Sequence, residues 1–340
     1  MGLLKMNCLL LLLVLGCNNN QELSEVFGEE TDQSVNQANN GIDYRQEMRD
    51  FVIGLGKHAK EVNPDFKIIP QNGIELVTMN GEPDGKISKD YLALIDGNGQ
   101  ESLFYGYKKD NVKTNQSVSK TLISYLEISQ KQDNMIFVTD YCSDLEKVKD
   151  SKHKNSSYDF VSFAAPDRDL TIIPELNQTT DKLSGKDIIN LNDANNFLFF
   201  LNYENYPTKQ SVVSAISDSD YDIVFIDMFF NDGTPYSKSM IERLKIKANG
   251  SKRLVLAYMS IGEAEDYRFY WNPSWKQEQP EWLDKENKNW PGNFKVKYWE
   301  KDWQNIIYGN TDSYLDRIVA TGFDGVYLDI IDAFEYFENE

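Results

Sequence analysis

Short apolar, β-branched or aromatic runs recur along this chain with amphipathic stretches between them, and that alternation limits the possible folds more than any other feature. The runs occupy residues 66–69, 91–95, 135–139, 160–163, 197–201, 223–226, 254–258 and 326–328. Each has the length and composition of a buried strand. Between most of them, at residues 118–128, 212–216, 240–246 and 314–319, apolar side chains return at helical spacing. Ahead of the first run, Tyr44, Met48, Phe51, Val52, Leu55 and Val62 follow three- and four-residue steps, so a helix is predicted there, stopped by Asn63-Pro64. Eight strands alternating with helices predict an α/β fold of the (β/α)8 TIM-barrel type, with a doubly wound open sheet as the alternative. The order is unusual: the ordered chain is expected to open on a helix and to close on a strand and its loop.

The N-terminus reads as a targeting signal. Lys5 precedes an apolar run at 9–15, far shorter than the ~20 residues of a membrane-spanning helix, and the run ends in Val14-Leu15-Gly16-Cys17. This resembles a bacterial lipoprotein signal, which implies that residues 1–16 are removed and that Cys17 is lipidated; an ordinary secretory signal is the alternative. Residues 17–42 are rich in Asn, Gln, Glu and Ser and are expected to form a flexible tether. The expected location is the cell envelope, with the membrane as a partner through a lipid on Cys17.

With Cys8 inside the signal, Cys142 is the one cysteine of the folded part, so no intramolecular disulfide is expected there. His58, His153 and Cys142 supply too few ligands for a nitrogen and sulfur zinc site, while an oxygen-ligated cation stays open. The formal net charge of −19 argues against nucleic acid as a partner. No phosphate-binding glycine loop, G-x-G-x-x-G or G-x-S-x-G is present, so no cofactor is expected.

Acidic groups gather where such a fold does chemistry. The segment GFDGVYLDIIDAFEYFEN places Asp329, Asp332 and Glu335 just beyond a strand. In parallel α/β folds ligands sit outside the carboxyl ends of the strands.

Several longer stretches carry a family resemblance. VFIDM at 224–228, LAYMSIGEAEDYRFYW at 256–271, NWPGNFKVKYW at 289–299, the Trp303 to Ile307 stretch WQNII and GFDGVYLDIIDAFEYFE at 322–338 resemble the first half of the barrel in extracellular glycoside hydrolases related to endo-α-1,4-polygalactosaminidase, glycoside hydrolase family 114. NPDFKIIPQNG at 63–73, IDGNGQESLFYGY at 95–107, IFVTDY at 136–141 and FVSFAAPDRDL at 160–170 resemble the second half. The halves stand in reversed order. The resemblance therefore implies a circularly permuted barrel over residues 43–340, with its second half at 43–174, a joining segment at 175–195 and its first half at 196–340. Closed barrels tolerate new termini in exposed loops. A piece of a longer protein with repeated halves is the rival reading.

In barrel order the strand ends would present Asn202 and Tyr203, then Asp227, then Tyr258, Glu263, Glu265 and Arg268, then Asp329 and Asp332, then Gln71 and Asn72, then Glu101 and Tyr107, then Asp140. Glycosidic cleavage uses two carboxyl groups, one as nucleophile or base and one as proton donor. The resemblance implies Asp329 as the nucleophile. Glu101 is the preferred acid/base, with Asp227, Glu263 and Glu265 in reserve, and the remaining residues of the ring are expected to contact sugar.

All six tryptophans lie in the connection from 261 to 303. Most are expected to pack this long loop onto the barrel, leaving one or two as platforms for sugar rings. The expected function is that of an envelope lipoprotein hydrolysing an amino-sugar polysaccharide, with an α-1,4-galactosaminide implied by the resemblance alone. The alternatives are a catalytically silent carbohydrate-binding or adhesion protein and a purely structural lipoprotein.

Overall fold

A computed structural model describes residues 41–176 and 183–340. The expected signal, Cys17 and nearly all of the tether lie outside the described residues. Among the described residues no helix is long and apolar enough to cross a membrane.

The first half runs α1 (Tyr44–Val62), β1 (Lys67–Pro70), α2 (Lys89–Leu94), β2 (Gly97–Glu101), α3 (Gln116–Gln130), β3 (Met135–Tyr141), α4 (Leu145–Ser156) and β4 (Val161–Ala165). The second half runs β5 (Phe197–Phe200), α5 (Lys209–Ser217), β6 (Ile223–Asp227), α6 (Lys238–Leu244), β7 (Leu254–Ser260), β8 (Glu263–Glu265), β9 (Leu283–Glu286), β10 (Asn293–Val296), α7 (Lys301–Ile307), α8 (Tyr314–Thr321), β11 (Gly325–Asp329) and α9 (Ala333–Glu338). Three short 3-10 turns complete the described elements, at Ile74–Val77, Leu191–Asp193 and Pro273–Lys276.

The helix predicted by the opening periodicity is α1. Asp43 caps it by accepting from the Gln46 amide at 2.9 Å, and Met48, Phe51, Val52, Leu55 and Ala59 are buried along one stripe. Val62, its last residue, is exposed.

Eight strands lie in two parallel sheets, ordered β1-β11-β7-β6-β5 and β2-β3-β4. β1 thus lies beside the last strand, with Lys67 opposite Gly325 and Pro70 opposite Leu328. The sheets meet at two seams. At one, Gln71 bridges Gly99 in parallel, and the Asn72 amide donates to the Gly99 carbonyl at 2.9 Å. At the other, Phe163 of β4 lies 5.7 Å from Phe197 of β5, and the Leu201 amide donates to the Leu170 carbonyl at 3.2 Å.

Side chains from well-separated strands meet between the sheets. Tyr327 of β11 stacks on Phe225 of β6 at 4.3 Å and meets Phe199 of β5 at 5.2 Å. Phe137 of β3 stands edge-on to Phe197 at 5.6 Å and to Phe225 at 5.7 Å. Strands on opposite sides share one aromatic core, an arrangement consistent with a (β/α)8 barrel. Each such ring pair contributes roughly 0.5–1.5 kcal/mol beyond its buried area.

Three expectations are corrected. Residues 91–95 form the end of α2 rather than a strand, with Tyr91 and Leu92 buried against the body, and the strand is GNGQE at Gly97–Glu101. Its glycines are required by close neighbours. A Cβ on Gly99 would sit 2.0 Å from the Tyr327 hydroxyl, and one on Gly97 would sit 2.6 Å from the Met135 carbonyl oxygen. The chain closes on α9 rather than on a strand and its loop. The connection after β7 is not all loop, since β8, β10 and β9 form an antiparallel sheet with Glu263 opposite Lys295 and Glu265 opposite Asn293.

The first and last helices touch. Arg45 makes two hydrogen bonds to Glu338, at 2.8 and 3.0 Å, and Tyr44 rests against Trp299 and Phe337.

Candidate active site

β11 ends on Asp329 and β2 ends on Glu101, with β1 between them. Both carboxylates are almost fully buried, at 7% and 5% exposure. Among the described residues neither has a cationic partner. The Tyr258 hydroxyl donates to Asp329 Oδ2 at 2.6 Å. Burial pushes the Asp329 carboxyl up to about 7, and the negative charge of Glu101 adds to the shift, against the opposing hydrogen bonds from Tyr258 and the Ile330 amide. The two carboxyls therefore sit within each other's field.

Glu101 is held by two donors, the Tyr141 hydroxyl on Oε1 and the Asn72 side-chain amide on Oε2 at 3.0 Å. Asn72 Oδ1 also accepts from the Glu101 amide at 3.1 Å, so Asn72 fixes both ends of the residue. This Asn occupies the left-handed region at φ 59°, a conformation its short polar side chain tolerates. Tyr327 lies in the field of both carboxyls, and among the described residues its buried hydroxyl has no hydrogen-bond partner.

The reserve carboxylates are otherwise engaged. Asp227 receives Arg268 Nη1 at 2.8–2.9 Å on its two oxygens, while Arg268 Nε bonds Glu265 Oε2 at 2.5 Å. Tyr267 donates to Glu265 Oε1 at 2.6 Å. Burial raises the Asp227 carboxyl, and Arg268 opposes the rise. Glu263 pairs with Lys295 at 2.6 Å and accepts from Asn287 at 2.8 Å and Asn293 at 3.3 Å. These groups form a buried ionic scaffold beside the pair, and Arg268 is spent on it. Burial and the charges of Glu335 and Asp329 push the Asp332 carboxyl well up.

The other candidates divide. Tyr258 and Asn72 join the carboxylate pair. Tyr203 is buried below Asp227, its hydroxyl accepting from the Asp227 amide at 2.9 Å, and Asn202 donates to the Asp169 carbonyl. The structure does not bring Asp140 to the pair. Its fully buried carboxylate accepts from the Phe104 amide at 2.8 Å, the Tyr105 amide at 3.0 Å, Ser151 at 2.6 Å and Asn155 at 3.1 Å, which ties the loop after β2 to α4. Tyr107 points to solvent at 41% exposure. Tyr141 was absent from the sequence candidates, although strand alternation from Thr139 carries the signal for it.

Five of the six tryptophans pack. Trp271 stacks on Phe294 at 4.9 Å, Trp275 meets Trp282 at 5.0 Å, Trp299 meets Phe337 at 4.8 Å, and Trp303 donates to the Ile261 carbonyl at 2.8 Å.

Residues 192–340, which carry Asp227, Arg268 and Asp329, match the sequence model of Glycoside-hydrolase family GH114. This stretch is GH114-like; residues 41–176, which carry Glu101 and Asn72, lie outside the match. An uncharacterised protein of Thermotoga maritima is 42% identical over 144 residues, which is 42% of this chain and 43% of that protein. One from Methanocaldococcus jannaschii is 42% identical over 156 residues, covering 45% of this chain and 42% of its own length. One from Deinococcus radiodurans is 42% identical over 130 residues, covering 38% and 39%. The chain thus spans less than half the length of these curated relatives.

Proposed function

We propose that the eight parallel strands form one circularly permuted (β/α)8 barrel whose mouth hydrolyses a glycosidic bond with Asp329 and Glu101. The observation that carries this reading is the electrostatic coupling of two buried carboxyls that lack cationic partners, each held by its own tyrosine. Burial and the neighbouring carboxylate push the Asp329 carboxyl up to about 7, and glycoside hydrolysis uses two carboxyl groups of this kind, one protonated and one ionised. The matching stretch of family sequence supports the reaction class.

Permutation is supported by β1 lying against β11, and by matches that cover one half of the chain. An alignment that follows chain order would capture only one half of two swapped halves.

In the proposed reaction Asp329 attacks the anomeric carbon and Glu101 protonates the departing oxygen, then takes a proton from the water that releases the sugar. The attack requires Asp329 in its ionised form. An ammonium group on the substrate favours ionised Asp329 beside it. A cationic amino-sugar polymer, of the α-1,4-galactosaminide type implied by the family resemblance, fits a protein with a net charge of −19. The lipid anchor on Cys17 and the envelope location belong to the same proposal.

The test is to incubate the protein and its Asp329→Asn variant with a panel of amino-sugar polymers and to measure new reducing ends. Release by the parent alone supports the reading. Binding in both forms without release from any polymer turns the barrel into a silent carbohydrate-binding protein.

A further inference from the structure

Trp290 stands apart from the other tryptophans. Among the described residues its indole makes no ring contact and its N–H has no hydrogen-bond partner, yet the residue is only partly exposed. It occupies the turn between β9 and β10, and that turn is closed by its own hydrogen bonds. The Asn287 amide donates to the Asn293 carbonyl at 2.7 Å, the Trp290 amide to the Asn287 carbonyl at 2.9 Å, and the Asn293 amide to the Trp290 carbonyl at 2.9 Å. Gly292, at φ 96°, donates to Glu286 Oε1 at 2.8 Å, and its carbonyl accepts from the Asp266 amide at 2.8 Å. The indole is thus partly covered by the protein and partly open to solvent, in a turn whose backbone is fixed by these hydrogen bonds.

The turn is also tied to the carboxylate pair. The side-chain amides of Asn287 and Asn293, which flank Trp290, both donate to Glu263, and Glu263 lies close enough to Asp329 for its charge to act there. An indole presents a broad apolar face with an electron-rich surface, which suits the C–H face of a pyranose ring, and two restricted side-chain torsions limit the entropy lost on contact.

We infer that Trp290 is a stacking platform for a sugar ring of the glycan chain, placed beside the cleavage point by the anchoring of its turn to Glu263. This inference rests on the hydrolase reading above and adds a subsite to it. The platform binds a ring that is not itself cleaved, so its contribution depends on chain length.

The test uses the full chain in the Asp329→Asn background, with and without Trp290→Ala, titrated with galactosamine monomer and with α-1,4-linked galactosamine oligomers of graded length. Calorimetry and tryptophan emission are the readouts. The expected result is roughly tenfold weaker binding of the longer oligomers, the size of one aromatic stacking contact. Monomer affinity is unaffected, and the oligomer-induced change in emission disappears. Trp290→Phe recovers most of the affinity, which separates stacking from a folding defect if the alanine variant melts early. Equal oligomer affinity and an unaltered emission change in Trp290→Ala overturn the platform while leaving the hydrolase reading intact. A parent that neither cleaves nor binds any amino-sugar polymer overturns both, and turnover by the parent with Asp329 intact distinguishes the two failures.

Discussion

The Tyr258 hydroxyl donates to Asp329 Oδ2 at 2.6 Å, and the two residues come from neighbouring strands whose ladder places Asp329 opposite Ser260. A phenol in that position stabilises the ionised carboxylate and opposes the burial that drives it toward the protonated form. Tyr258→Phe therefore raises the Asp329 pKa further. A lost hydrogen bond to a charged group is worth about 1.5–3 kcal/mol, which corresponds to an alkaline shift of about one to two units in the limb of the kcat/KM profile that reports Asp329. An unmoved limb places the titration on another group.

Folding stability should carry the same signature. Asp329 titrates near 7 in the folded chain and near ~3.9 when unfolded, so the folded state binds its proton more tightly. Its contribution is greatest in acid, is lost as pH rises toward 7, and is flat above it. Urea titrations should show Asp329→Asn gaining stability relative to the parent across this window. Parallel curves for the two proteins contradict the shift.

Gly99→Ala should destabilise the core between the two parallel sheets. The new methyl would lie 2.0 Å from the Tyr327 hydroxyl and 2.5 Å from its Cζ, and that ring is pinned by Phe225. Overpacking of this kind costs about 1–3 kcal/mol, visible as a lower melting temperature. Removing the hydroxyl in a Gly99→Ala, Tyr327→Phe double variant should restore part of the loss.

Lys247 and Asp222 form a wholly buried ion pair at 2.9 Å, and the same ammonium holds the carbonyls of Ser184 and Lys186. Lys247→Met leaves a buried carboxylate without its cation, at a cost of about 3–5 kcal/mol. Denaturant midpoints would register the loss, and protease susceptibility should rise around residues 184–188, where those contacts are made.

The helix α1 was legible because one stripe of large apolar residues repeats over its length, and seven of the eight parallel strands because their interiors are apolar. β2 was not, because its side chains are Asn, Gln, Glu and two glycines, and partner strands rather than composition make it a strand. The apolar residues just ahead of it pack as a helix, which misplaced the strand by a few residues. Asp140 and Tyr141 show a second limit. Successive residues of a strand face opposite ways, and the pleat of β3 sends Tyr141 to Glu101 while Asp140 turns outward to Ser151 and Asn155. Composition favoured the acid; geometry chose the phenol. Strands β8 and β9 are short and mostly charged, and the alternation in β10, Phe294 and Val296 against Asn293 and Lys295, spans too few residues to stand out inside the long connection.

The contact between α1 and α9 changes how this fold would respond to force. Arg45, Glu338, Tyr44 and Phe337 form a clasp between the first and last helices, outside the ladder that pairs β1 with β11. Tension applied at the two helices loads this clasp before it reaches the strands. A two-point ion pair and a few ring contacts yield sooner than a parallel ladder sheared along its length, and high salt would weaken the ionic part further. The molecule should then unzip from the edge where β1 meets β11, losing the seat of Asp329 while most of the remaining strands still stand.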